Sequence, residues 1–189
     1  MTEKLRGLNL GCGNSVNPYS SFYDEKLGRE VPIEWTRLDI RQGEDIRADV
    51  VWDLNKVPLP FKDGEFDYIY CAHTLEHLPV IHVVKRLLQE LYRILKPDGT
   101  LEVIVPNLFQ AAREVLSSKV YHGLQHLYSG DLWRDPDEED FYKESGHVMC
   151  YTPGILVDAV ILAGFNIKCA TDLYKKEEGD INIKAVKVK

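Results

Sequence analysis

The stretch "LRGLNLGCGNS", residues 5–15, decides the fold. A short apolar run, Leu5 to Leu10, reads as a strand and breaks off at Gly11-Cys12-Gly13. Glycines directly after a strand let the backbone turn sharply and approach a ligand closely. In open α/β sheets, ligands bind beyond the carboxyl ends of the strands, near the point where the strand order reverses. The residues on which the other strands end are therefore the ones to read next.

Working outward, "EWTRLDI" (34–40) alternates and ends on Asp39, and "ADVVWDL" (48–54) ends on Asp53. "FDYIYC" (66–71) and "TLEVIVP" (100–106) are further strand candidates. "NIKCATDLY" (166–174) and "INIKAVKVK" (181–189) flank "KKEEGD", which reads as a hairpin connection. Between strands, residues 79–95 carry an apolar stripe at spacings of three and four: Val80, Val84, Leu87, Leu88, Leu91 and Leu95. Pro79 suits the first helical turn, and Pro97 stops the helix. A second helix, 153–163, opens on Thr152 and Pro153 and ends at Gly164. Strands alternating with helices predict a mostly parallel sheet covered on both faces, closed by an antiparallel C-terminal hairpin strand. Residues 1–189 read as one domain, within which 107–150 is expected to be a substrate-lid insertion.

The formal net charge of −7 argues against a partner such as nucleic acid, whose phosphates call for clustered Lys and Arg. No apolar run approaches the ~20 residues of a membrane span. "MTEKLRGLNL" has no signal-peptide pattern, and Cys12, Cys71, Cys150 and Cys169 form no C-x-x-C pair. A cytoplasmic location is the expectation.

The strand ends supply a nucleoside-shaped set of groups. The Asp39 carboxylate suits a ribose diol, and the Asp53 carboxylate suits an amino group such as that of adenine. A dinucleotide wants a third glycine under its pyrophosphate, where this chain has Val16, and no G-x-x-x-x-G-K-[ST] phosphate loop exists. That disfavours a nicotinamide-dependent reductase. A cofactor with ribose and adenine but no phosphate fits better, and S-adenosylmethionine is such a molecule.

The chain resembles the class I S-adenosylmethionine-dependent methyltransferases, most closely a small-molecule branch. The resemblance rests on "LPFKDGEFDYIY" (59–70), "ELYRILKPDGTLEVIVP" (90–106) and "AGF" (163–165), which stand in order along nearly the whole chain. It implies a Rossmann-like, seven-stranded sheet of order 3-2-1-4-5-7-6 with strand 7 antiparallel. It also implies a cofactor site made of Asn9, Gly11, Cys12, Gly13, Asp39, Ile40, Asp53, Leu54, Cys71 and Ala72. In that site Gly11 and Gly13 lie under methionine and ribose, and Cys71, Ala72 and His73 pass near the sulfonium. Asn9 departs from the acidic residue common at that position. The function implied is methyl transfer to a small-molecule acceptor, of the sugar or cell-envelope-precursor kind. The alternative is a non-catalytic, methyltransferase-like binding or partner subunit. DNA amino-methyltransferases carry [DNS]-P-P-[YFW] after strand four, and "CAHTLEH" stands there instead.

Histidines raise the remaining questions. H-T-L-E-H (73–77) spells an inverted zinc-peptidase pattern, but such a site needs both histidines on one helix. Here His73 follows a strand and the helix starts only at Pro79, so a strand-to-helix loop is expected, and no metal. His73 and His147 are the candidate general bases for an oxygen acceptor. His122 and His126 share the i, i+4 spacing of a metal pair, with two histidines on one helical face as the plainer reading. Asp135, Asp137, Glu138, Glu139 and Asp140 form an acidic loop, flanked by Trp133, Phe141, Tyr142 and Tyr151, that reads as solvated surface or as a lid.

Overall fold

The computed structural model describes residues 4–14, 17–24, 28–43, 46–78, 81–117, 119, 123–124, 127–128, 146–170 and 179–188. His122, His126, Trp133, the acidic run, Phe141 and Tyr142 lie outside these. The strands are β1 (Leu5–Leu10), β2 (Ser21–Asp24), β3 (Arg29–Asp39), β4 (Val50–Val51), β5 (Phe66–Ala72), β6 (Leu95–Val105), β7 (Asn166–Ala170) and β8 (Ile181–Val186). They form one sheet of order β2-β3-β1-β5-β6-β8-β7, with β4 also pairing β3. β4 runs parallel to the end of β3, and β2 runs antiparallel along its beginning. Leaving β2 aside, the order is the expected one, and β8 is antiparallel to both its neighbours. β2 was not anticipated, because "SFYD" is too short to show a period.

Neighbouring residues of a strand point to opposite faces of the sheet. On one face the register lines up Leu38, Leu10, Cys71, Val103 and Ile183, all fully buried. Helices α1 (Ile81–Ile94) and α3 (Pro153–Leu162) bury Val84, Leu87, Leu88, Leu91, Leu156 and Val160 in the same core. Full burial of a Leu or Val side chain contributes roughly 1.5–3 kcal/mol. Both ends of α3 follow the local chemistry. The Thr152 side chain accepts from the Ile155 amide at 3.3 Å, and Gly164 takes a left-handed φ of 104° just past the helix.

The row behind it is polar: Arg37, Asn9, Tyr70, Glu102 and Lys184. Tyr19 and Phe22, from the β2 segment, pack on this second face. Phe22 stacks on Tyr68 at 4.3 Å between centroids, and the Trp35 indole donates to the Tyr19 carbonyl at 2.7 Å. Glu102 is fully buried here. It accepts from the Tyr68 hydroxyl at 2.5 Å, the Tyr19 hydroxyl at 3.0 Å and the Asn182 amide at 2.9 Å, with Lys184 Nζ at 3.5 Å.

The sequence blocks at 59–70 and 90–106 bind each other. Glu90 accepts from the Leu59 amide at 2.9 Å. The Arg93 guanidinium donates to the Phe61 and Leu59 carbonyls, to Asp63 at 2.7 Å and to Glu90 at 2.7 Å. Lys96 Nζ reaches both Asp67 oxygens at 2.8 Å. This clamp ties the loop entering β5 to the C-terminal end of α1. Helix α2 (Leu108–Val115) starts after β6 and is capped by Asn107. Among the described residues, no helix is long and apolar enough to cross a membrane.

Candidate functional site

The glycine turn is shaped by what lies against it. Gly11 has φ 65°, and a Cβ there would collide with the Thr74 side chain. Only a glycine can pass. The Gly11 and Cys12 amides donate to the Leu38 carbonyl at 2.8 and 3.1 Å, which sews the turn to the end of β3. Gly13 has φ 52° and open space where a Cβ would point. Its amide donates to Asp39 Oδ2 at 2.8 Å, and the Arg41 amide donates to Asp39 Oδ1 at 3.0 Å. Asp39 is 6% exposed, and each of its oxygens keeps a second lone pair for a ligand.

Asp53 ends the next connection. The backbone and side-chain amides of Asn55 donate to its Oδ1 at 3.0 and 2.9 Å and hold its carboxyl below the usual carboxylate range. Both carboxylates face a cavity of about 490 Å³. Gly11, Gly13, Ile40, Leu54 and His73 also line it. The strand-end reading thus gathers in one place residues drawn from four separate stretches. Asn9, Cys12, Cys71 and Ala72 do not line this cavity. The Cys71 side chain belongs to the core on the helical face, where burial pushes its thiol up in pKa. Asn9 is 2% exposed on the second face, and among the described residues its Nδ2 has no hydrogen-bond partner.

Several cavity residues were missed: Arg41, Asn55, Thr74, His77, Gly146 and Val148. Arg41 and Asn55 directly follow the predicted pairs and carried a positional signal. Gly146 and Val148 arrive through a long-range contact that no local pattern announces. The Val148 and Met149 amides donate to the Glu76 carbonyl at 2.8 and 3.0 Å.

The H-T-L-E-H stretch is not a helix bearing two ligands. β5 runs to Ala72, and His73 sits alone at φ 49° before a short 3-10 turn, Leu75–His77. His73 Nε2 lies 3.3 Å from Asp180, and its Nδ1 lies 3.5 Å from Glu76. Asp180 first, then Glu76, push its pKa up to about 10. At neutral pH it is an imidazolium with no lone pair to offer as a base. His147 is nearly buried, with Nε2 3.9 Å from the Glu76 carboxylate.

Residues 8–103 match the family model described as "Methyltransferase domain". The chain belongs to this family. Among curated proteins it is 32% identical over 158 residues to "Probable methyltransferase ltbC" of Aspergillus luteorubrus, covering 70% of this chain and 50% of that protein. It is 35% identical over 79 residues to the demethylmenaquinone methyltransferase of Listeria monocytogenes, covering 42% of this chain and 28% of that one. The chain spans half or less of the length of these relatives. Its fold is similar to an S-adenosylmethionine-dependent methyltransferase of Clostridium acetobutylicum, at a TM-score of 0.61 and 14% identity, covering 97% and 84% of the two chains. A second such enzyme, from Methanosarcina mazei, gives 0.58 at 20% identity over 100% and 94%.

Proposed function

We propose that the cavity binds S-adenosylmethionine and that the domain transfers its methyl group to a small, hydroxyl-bearing acceptor of the sugar or cell-envelope-precursor kind. The observation that carries the reading is the convergence of the glycine turn, Asp39 and Asp53 on one cavity. The open space over Gly13 leaves room for a ligand where a side chain would stand. Asp39 suits the ribose hydroxyls, Asp53 suits the adenine amino group, and Ile40 and Leu54 supply apolar walls.

The connection after the turn speaks against a phosphate ligand. Where dinucleotides bind, a helix N-terminus follows the glycines and faces the pyrophosphate. Here, among the described residues between Gly13 and Gly28, there is the strand β2 and no helix.

When bound, the cofactor supplies an electrophilic methyl on a positively charged sulfur. The protein's part is to hold cofactor and acceptor in line, the main source of rate in a displacement of this kind. His73, held as an imidazolium beside the cavity, serves to position and to balance charge, not to accept a proton. On the side of the 146–148 strap, the His77 imidazole lines the cavity and is the group open to an acceptor hydroxyl, with Glu76 and His147 behind it.

Calorimetric titration of the purified chain with S-adenosylmethionine, and separately with S-adenosylhomocysteine, tests the reading. Saturable binding by the wild type that is lost in Asp39→Ala supports it. An intact chain that binds neither would leave a non-catalytic partner subunit as the better account.

A further inference from the structure

Glu76 stands out in the molecule. Its side chain is 1% exposed, and among the described residues neither carboxylate oxygen has a hydrogen-bond partner. A buried carboxylate without donors is costly unless positive charge stands beside it. The His73 imidazolium, shared with Asp180, stands 3.5 Å from Glu76, and the His147 ring 3.9 Å. One ligand atom each from Glu76, His77 and His147 lie within 4.8 Å of one another.

We infer that Glu76, His77 and His147 form a site for one divalent transition-metal cation, at the acceptor end of the cavity, with a coordination position open to an acceptor oxygen. Two imidazole nitrogens and one carboxylate oxygen suit zinc, cobalt or manganese, whereas magnesium and calcium want oxygen ligands. Ligands on one such cation, with bonds of about 2.0–2.1 Å, stand roughly 3.3 Å apart. The present spacing, within 4.8 Å, is wider than that, so binding would draw the three ligand atoms together.

The backbone has already brought the parts together. The two amides at 148 and 149 fasten the 146–149 strap to the Glu76 carbonyl. His77 Nδ1 lies 3.3 Å from the Gly146 carbonyl. A carbonyl only accepts, so Nδ1 carries the hydrogen and Nε2 keeps its lone pair for a metal, the arrangement common behind metal-bound histidines. The two rings meet edge-on, 5.0 Å between centroids, so neither blocks the other. His77 lines the cavity while Glu76 and His147 do not, so the site would open to the cavity through His77.

The sequence thus does hold a metal signal, divided differently from the peptidase pattern. Glu76 and His77 belong to it, and the third ligand is the distant His147. His73 is outside it, with its nitrogens turned to Glu76 and Asp180. A cation here would bind an acceptor hydroxyl and lower its pKa, so that the proton passes to solvent water near neutral pH. That role rests on the methyl-transfer reading above; cation binding itself does not.

The test uses the full chain, freed of metal with a chelator, in a Cys150→Ser/Cys169→Ser background that removes the exposed thiols. CoCl2 is titrated in and followed by its visible absorption, and ZnCl2 by calorimetry. One cation per chain is expected. His77 is exposed, so His77→Gln should leave the circular dichroism spectrum and the melting curve unchanged while weakening binding at least about tenfold. Glu76→Gln and His147→Gln should bind no better than His77→Gln. A chain that takes up no cobalt or zinc, or single variants that bind like the parent, would overturn the assignment. S-adenosylmethionine binding is measured on the same metal-free protein. Cation binding without cofactor binding would sink the methyl-transfer reading and leave the metal site standing, and the reverse result would do the opposite.

Discussion

The Gly13 amide donates to the Asp39 carboxylate at 2.8 Å across 26 residues of sequence, so the turn after β1 and the end of β3 are one unit. Asp39→Ala removes both that acceptor and the one used by the Arg41 amide. Asp39→Asn turns an amide NH2 toward at least one of those donors. Both variants should bind S-adenosylmethionine at least about tenfold more weakly, and each should lose about 1–3 kcal/mol of stability, the range for hydrogen bonds to a charged group. Calorimetry and urea melts check the two effects separately.

Gly11→Ala meets two obstacles at once. Its φ of 65° is unfavourable for an L side chain, and the new methyl would run into Thr74. A cost of about 2–4 kcal/mol is expected from strain and overpacking together. Adding Thr74→Ala should recover the steric part alone. A double-mutant cycle in denaturant melts that shows no recovery would mean the conflict is purely one of backbone conformation.

Arg93 donates to two carbonyls and two carboxylates in fixed directions. A lysine cannot reproduce that fork. Arg93→Lys should therefore behave almost like Arg93→Ala, each costing about 2–4 kcal/mol because carbonyls of the 59–61 turn and Glu90 lose their donors. Equal stability of Arg93→Lys and wild type in thermal melts would contradict the clamp.

The second face gives an alkaline prediction. Burial first, then Glu102, push the Tyr19 hydroxyl up to about 12 and push Tyr68 higher still. An unfolded chain ionises its tyrosines near pH 10. Above that pH the folded state binds more protons than the unfolded state, so stability falls as pH rises. The loss should run from about pH 10 to 12 for Tyr19 and continue beyond for Tyr68. Tyr68→Phe should lower stability at neutral pH and flatten this alkaline slope in denaturant melts at stepped pH.

The sheet was legible because its signals are local. Each long strand carries its own apolar run, and each of Gly11, Asp39 and Asp53 sits at a strand end where ligands collect. The 59–70 and 90–106 blocks were recognisable as patterns, but their mutual hydrogen bonds became visible only in three dimensions. β2 escaped because a four-residue strand has too little length for periodicity. Glu102 gave no warning of its importance. In "TLEVIVP" it occupies the outward half of an alternating strand, and the tyrosines that bury it come from elsewhere. The strap at 146–149 escaped for the same reason, since only backbone groups bring it to Glu76. His147 is marked by its residue type, while its partner Glu76 reads only as part of a strand-to-helix loop.

Among the described residues, β2 and no helix follows the glycine turn, and this reaches beyond topology. A helix beginning there would aim a fixed positive pole at whatever lies over Gly13. Without one, the field over the cavity comes from side chains of both signs: Asp39 and Asp53 are acidic, while Arg41, 3.8 Å from Asp39, and His73 also line it. A cationic guest would be met there by these side chains and not by a helix pole. The connectivity of the chain thereby leaves the preference between a charged and a neutral guest to side chains, which single substitutions can change.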